Sequence, residues 1–223
     1  MRKTVYSLAA VALIAPVVAG AQADADNKVA GGGTVPAGWQ MRVDPKAGSG
    51  TEPKMAAMGA GFHVTSGARA IYWRPSDAAK GNYTVEATLA QTTAPAHPEA
   101  YGIFFAGKEL QSPNQQYMYF LVRQDGKYMI SHRADDNTIH SIVPWTDNAA
   151  IRKADAQGKA SNTLAVDVGA EQIRFLVNGT AVHSIPRSQV QGPGHINALD
   201  GFAGLRVNHN LDVHIDGLKV AQK

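Results

Sequence analysis

The segment RVNHNLDVHID, Arg206 to Asp216, sets two histidines and two aspartates within eleven residues. If the segment is extended, Asp212, His214 and Asp216 point to one face while Leu211, Val213 and Ile215 point to the other. Neighbouring polar positions are then roughly 6.5–7 Å apart and the outer pair about 13 Å, from a rise of about 3.3 Å per residue. Two of the three could share an ion: aspartate and asparagine oxygens suit calcium, and histidine beside aspartate suits zinc. No H-E-x-x-H or comparable ligand set accompanies them. A glycosidase pair made of Asp212 and Asp216 needs carboxyl groups about 5–9.5 Å apart, a hard reach for short side chains. The plainest reading is the wet face of a half-buried antiparallel strand, so no metal and no cofactor is assigned. His209 reads as a turn residue.

A second set is Glu86, Tyr117, Tyr119, Arg123 and His132, to which Arg206, Asn208 and His214 are added if their strands neighbour one another in one concave sheet. Flat aromatic rings and a few planar polar groups are what a sugar site needs, the rings against C–H patches and the polar groups for hydroxyls. These eight are the expected ligand-binding residues. The alternative is that Tyr117 and Tyr119 cover a sheet face with their hydroxyls in water, and that Arg123 is one half of a cross-strand pair. Trp73 and Trp145 fall at strand ends beside loops, as exposed platforms or as buried edge closures. No Gly-x-Ser-x-Gly elbow and no cysteine nucleophile occurs, and Gly31-Gly32-Gly33 opens no strand-to-helix phosphate loop.

The elements that must position these residues are short β-like runs at regular spacing: 62–66, 69–74, 82–91, 101–106, 116–124, 127–133, 138–143, 162–169, 171–177, 180–185, 201–207 and 211–220. Asp125-Gly126 and Asn178-Gly179 each lie between two runs and predict tight hairpins. In YTVEATLA the set Tyr83, Val85, Ala87 and Leu89 should face a core, with Thr84, Glu86 and Thr88 outward. In YMYFLVRQ, Met118, Phe120 and Val122 should do the same, leaving Tyr117, Tyr119, Leu121 and Arg123 as a mixed face. Tyr128, Ile130 and His132 extend one of those faces. Helical candidates are 149–157 and a turn at 187–190, neither with a clear apolar stripe.

The FLVNGTAVHSI hairpin, the closing GFAGLRVNHNLDVHIDGLKV and the twelve runs resemble the concanavalin A-like lectin and glucanase jelly roll, over roughly Trp39 to Val220. More narrowly, the layout is similar to exported bacterial domains associated with 3-keto-glucoside lyase or hydratase activity. The resemblance implies an all-β, two-sheet antiparallel jelly-roll sandwich with a carbohydrate or glycoside as its partner. The glucanase signature E-x-D-x-E is absent, its nearest relative being D-x-H-x-D at Asp212 to Asp216, and a fold alone transfers no function. If the protein is instead a sugar-active enzyme, Glu86 or His132 serves as acid or base, and His214 with Asp212 or Asp216 as metal or proton-transfer groups. A structural envelope protein is the third class.

Residues 1–23 have the anatomy of an export signal: Arg2 and Lys3, an apolar Val5 to Val18 broken by Pro16, and Ala19-Gly20-Ala21 as the cleavage site. A flexible segment 24–38 and a sandwich domain 39–223 should follow, exported to a periplasmic or extracellular location. No later run approaches the roughly 20 apolar residues of a spanning helix. The chain has no cysteine, so neither a disulfide framework nor a lipid-anchoring cysteine is available. The net charge of +3 falls to +1 without Arg2 and Lys3, and no basic run interleaved with aromatics points to nucleic acid. Oligomeric state is left open.

Overall fold

The computed structural model describes residues 35–46, 52–59, 61–193 and 195–223. The expected export signal, the Gly31-Gly32-Gly33 linker and most of the flexible segment lie outside them. Among the described residues fourteen strands form: β1 (Gln40–Val43), β2 (Lys54–Met58), β3 (Gly61–Ser66), β4 (Ala70–Ala79), β5 (Tyr83–Gln91), β6 (Ala100–Lys108), β7 (Gln116–Arg123), β8 (Lys127–Arg133), β9 (Ile139–Asp147), β10 (Ala160–Val168), β11 (Gln172–Val177), β12 (Thr180–Pro186), β13 (Gly201–Val207) and β14 (Leu211–Gln222). They build two antiparallel seven-stranded sheets. Sheet A runs β1-β4-β13-β6-β7-β8-β9, and sheet B runs β12-β11-β10-β5-β14-β3-β2.

All twelve expected runs are strands, and the alternation assigns their faces. Tyr83, Val85, Ala87 and Leu89 of sheet B meet Met118, Phe120 and Val122 of sheet A in a core shared by both sheets. Both hairpins form where glycine supplies the positive φ. Asn178 (φ 51°) and Gly179 (φ 81°) make a two-residue turn between β11 and β12, and Gly126 (φ 87°) closes a three-residue loop between β7 and β8. Trp39 opens the domain, packed edge-on against Phe62 at 4.7 Å and beneath Arg74.

Three expectations are corrected. β1 and β2 were not foreseen: QMRV and KMAAM are short and carry little β-branched or aromatic content, and each pairs on one side only, at a sheet edge. Residues 149–157 form no helix. Side chains capture their backbone N–H groups instead: Asn148 accepts from Ala150 at 2.9 Å, Asn162 from Arg152 at 2.8 Å and Asp155 from Gln157 at 2.9 Å. At 187–190 the turn is present, as a 3-10 turn at Arg187–Gln189. His132 is not on the tyrosine face; it lies in register with Met118 on the core side, stacked on His140 at 5.6 Å.

Sheet A is curled, and ion pairs across its outer face show how far. Four strands separate β1 from β8, a span of about 24 Å in a flat sheet. Yet Asp44, the residue after β1, accepts from Arg133 Nη2 of β8 at 2.5 Å, and Arg42 Nη2 of β1 donates to Asp136 beyond β8 at 2.9 Å. The outer face is therefore a trough, clasped from its β1 rim to β8. Arg69 and Arg206 also reach Asp44, at 3.1 and 3.7 Å. Burial alone would raise the Asp44 carboxyl, but the Lys46 N–H and the Arg133, Arg206 and Arg69 guanidiniums together hold it below its ordinary range.

Two outcomes follow for stability. Asp44→Ala strands buried guanidiniums and should cost about 3–5 kcal/mol in denaturant unfolding, whereas Glu86→Ala on exposed surface should cost little. His132 is pushed down to about 4 from 6.5, first by burial and then by the His140 and His195 charges. Between those values the unfolded chain binds a proton that the folded chain refuses, so stability falls as pH drops from 6.5 towards 4, by on the order of 3 kcal/mol at most. Thermal unfolding against pH should show this slope, and His132→Leu should flatten it.

Candidate functional site

The eight expected ligand residues do not form one constellation. Tyr117, Tyr119 and Arg206 do meet, in the trough of sheet A. Arg206 of β13 and Leu121 of β7 flank Gly102 of β6 in register, and the Arg206 guanidinium reaches across β6 to the tyrosines of β7. Arg206 Nη1 donates to the Tyr117 hydroxyl at 2.6 Å and its guanidinium lies 4.7 Å from the Tyr119 ring centre. Arg123 is on the same face but at the other end of β7, bonded to Asp125 at 3.0 and 2.5 Å and stacked on Trp145 at 4.5 Å. Glu86 and His214 belong to the outer face of sheet B, on the far side of the molecule, because β5 and β14 are sheet B strands. Asn208 sits in the connection from β13 to β14, its N–H donating to Ala100 O at 2.9 Å.

The trough carries a second apolar layer, which a two-layer sandwich does not require. Ile71, Trp73, Phe104, Leu110, Tyr117, Tyr119 and Leu121 are buried in it, with Met129, Trp145 and Phe202 packed at its margin. Tyr117 and Tyr119 are 1% and 3% exposed, so they are neither water-facing covers nor open platforms. Ser131 Oγ, Arg133 Nε and Arg206 Nε lie buried there without a hydrogen-bond partner among the described residues.

Beside this layer the face opens into a depression of about 440 Å³. Trp73, Phe202, Pro75 and Leu110 give it apolar walls, and Glu109, Gln111, Gln40 and Ser112 supply polar groups. A bulge in β6 between Phe105 and Lys108 turns the chain towards it. Ala106 (φ 56°) and Glu109 (φ 50°) are held there in the left-handed region, a strain of about 1–3 kcal/mol each that clusters at binding sites. Trp73, expected at a strand end, lies within β4, paired with Gln40 of β1 and Gly204 of β13, because the strand runs on past Pro75 to Ala79. Glu109 and Phe202 were not noticed in the sequence, because the bulge and the sheet A pairing that unite them leave no spacing signal.

The Asp212, His214 and Asp216 strand is β14, with Leu211, Val213 and Ile215 in the core as expected. Its polar residues lie on the outer face of sheet B, in register with those of β3. Asp212 Oδ1 accepts from His63 Nε2 and from Thr65 Oγ1, and the His63 and His214 rings lie 6.3 Å apart. Next to them is an open depression of about 470 Å³ lined by Met58, His63, Thr92, His214 and Asp216. The imidazole of His63, oriented by a carboxylate, is an arrangement suited to proton transfer. One group of three ligand-type side chains converges among the described residues, and it lies elsewhere: His97, Glu99 and His209.

No family model and no curated protein matches the chain. Solved structures do. The chain is similar to carbohydrate-binding module CBM66 from Bacillus subtilis, with a TM-score of 0.56 and 12% identity over 82% of this chain and 95% of that one. It is similar to an endo-β-1,3-glucanase of Pyrococcus furiosus (TM-score 0.56, 12% identity, 82% and 87% covered). It is also similar to a mixed-linkage glucan GH16 protein of Bacteroides ovatus (TM-score 0.55, 11% identity, 82% and 94% covered). Identities this low show architecture alone, and with the two seven-stranded antiparallel sheets they give the fold: a concanavalin A-like jelly-roll sandwich.

Proposed function

We propose that this chain is an exported glycan-binding protein whose ligand rests in the Trp73 and Phe202 depression of the sheet A trough. The observation that carries the reading is the second aromatic layer. A sandwich needs one core between its sheets, and an outer face packed with rings and lined by amide, carboxyl and hydroxyl groups has the composition of a sugar site. The neighbours named as a carbohydrate-binding module and as glucanases support it through the shared fold. Binding is favoured over glycoside hydrolysis because Glu109 is the one carboxylate among the described lining residues, and hydrolysis of the usual kind takes two. Export rests on the leader read from residues 1–23.

A sugar-active lyase or hydratase is the second reading, favoured by the His63 and Asp212 pair beside the depression on sheet B. Glu86 and His132 do not support it. Glu86 is exposed on β5, and His132 is turned into the core.

Isothermal titration against soluble β-glucan, xylan, mannan and fructan oligosaccharides tests the first reading. At least one class should bind, with Phe202→Ala and Glu109→Gln each weakening it roughly tenfold, about 1.4 kcal/mol. Glu86→Gln on the opposite sheet should bind as the parent does. If no class binds, or if both trough variants bind unchanged, the reading is wrong; turnover of a glycoside lost in His63→Gln would establish the second.

A further inference from the structure

We propose that His97, Glu99 and His209 form a binding site for one divalent transition metal ion of the zinc class. The inference is independent of the glycan reading. His97 and Glu99 lie in the connection from β5 to β6, and His209 in the turn from β13 to β14. Both connections carry the chain from one sheet to the other, and they meet at the same end of the sandwich, tied by the Asn208 N–H to Ala100 O bond. Pro98, with its φ fixed near −65°, stiffens the spacing between the two ligands on the first connection.

Three ligand atoms converge. Glu99 Oε1 is 2.7 Å from His97 Nε2 and 2.9 Å from His209 Nε2, and the two nitrogens are 3.3 Å apart. A tetrahedral ion with bonds of about 2.0–2.1 Å to nitrogen and oxygen requires ligand edges of about 3.3–3.4 Å, so one edge already fits and two need to open by about half an ångström. The triangle has two protonation patterns. With both rings protonated at Nε2, the two N–H groups donate to the one carboxylate oxygen; with both protonated at Nδ1, two imidazole lone pairs and the carboxylate face one centre, which hydrogen bonding does not satisfy. A cation at the centre satisfies all three lone pairs together.

Burial points the same way. The Glu99 side chain is 7% exposed and its ion-pair partners among the described residues are these two imidazoles, so its charge lacks a permanent neutraliser. The His97 side chain is 48% exposed, so water reaches the triangle from that side. Two imidazoles and one carboxylate form a zinc-type set; calcium, which takes six to eight oxygens, does not suit it. A bound ion would staple the two inter-sheet connections and hold one polarised water.

The test uses the tag-free, EDTA-treated chain titrated with Zn²⁺ by calorimetry and with Co²⁺ by visible absorption. One equivalent should bind, Co²⁺ should show the intense bands of a four-coordinate site, and Glu99→Gln and His209→Ala should weaken zinc roughly 100-fold or more. His140→Ala and His214→Ala should bind as the parent does, and far-ultraviolet circular dichroism in EDTA should show all four variants folded. Absence of saturable zinc binding overturns the proposal, as does binding that survives in folded Glu99→Gln and His209→Ala or depends on His140 or His214.

Discussion

The carboxylate of Asp44 is the point from which the shape of the outer face of sheet A follows. It gathers guanidiniums from the neighbouring β3–β4 connection (Arg69), from β13 (Arg206) and from β8 (Arg133), the last of which a flat sheet would hold four strands away. Bringing them together requires sheet A to curl towards its outer side, and the Arg42 to Asp136 pair repeats the constraint. Two buried cations, Arg133 and Arg206, and the half-buried Arg69 on one carboxylate would be costly in isolation. The cost is offset where Arg206 donates to Tyr117 and stacks on Tyr119, and where Arg133 Nη1 donates to the Asp135 and Asp136 carbonyls at 3.2 Å. The aromatic layer and the ion cluster are thus one structure, each giving the other a place in a face that would otherwise be wet.

Small residues decide where that structure fits. Gly102 lets β6 lie close against β7, where a Cβ would overlap the Phe120 carbonyl oxygen and crowd Leu121, and Gly204 leaves room for the Phe104 ring, since a Cβ there would overlap both that ring and the Tyr72 carbonyl oxygen. The middle of the trough is therefore filled by the protein's own side chains, and the open part is displaced towards Trp73 and Phe202. The outer face of sheet B follows another pattern, with polar residues alternating against the core, interrupted by the Asp212, His63 and Thr65 contacts.

Much of the fold was legible because period-two alternation and Asn-Gly or Asp-Gly turns are local signals, and the twelve runs, the core faces of β5, β7 and β14 and both hairpins followed from them. β1 and β2 were illegible because edge strands of Gln, Met, Arg, Ala and Lys carry neither signal. The site was read less well for a topological reason. Alternation places residues on a face of a strand, but it does not say which sheet the strand joins, and so Glu86 and His214 were grouped with tyrosines on the far side of the molecule. His97 and His209, 112 residues apart, meet only because two inter-sheet connections pass at one end.

The most direct measurement of the central claim, that the sheet A trough is the ligand face, is a ¹H–¹⁵N correlation spectrum of the protein titrated with β-glucan, xylan, mannan and fructan oligosaccharides. Perturbations should centre on the Trp73 indole N–H and on the backbone amides of Glu109, Gln111 and Phe202, with Glu86 and His214 unmoved. Shifts confined to His63, Thr92, His214 and Asp216 would place the ligand on sheet B and contradict the account.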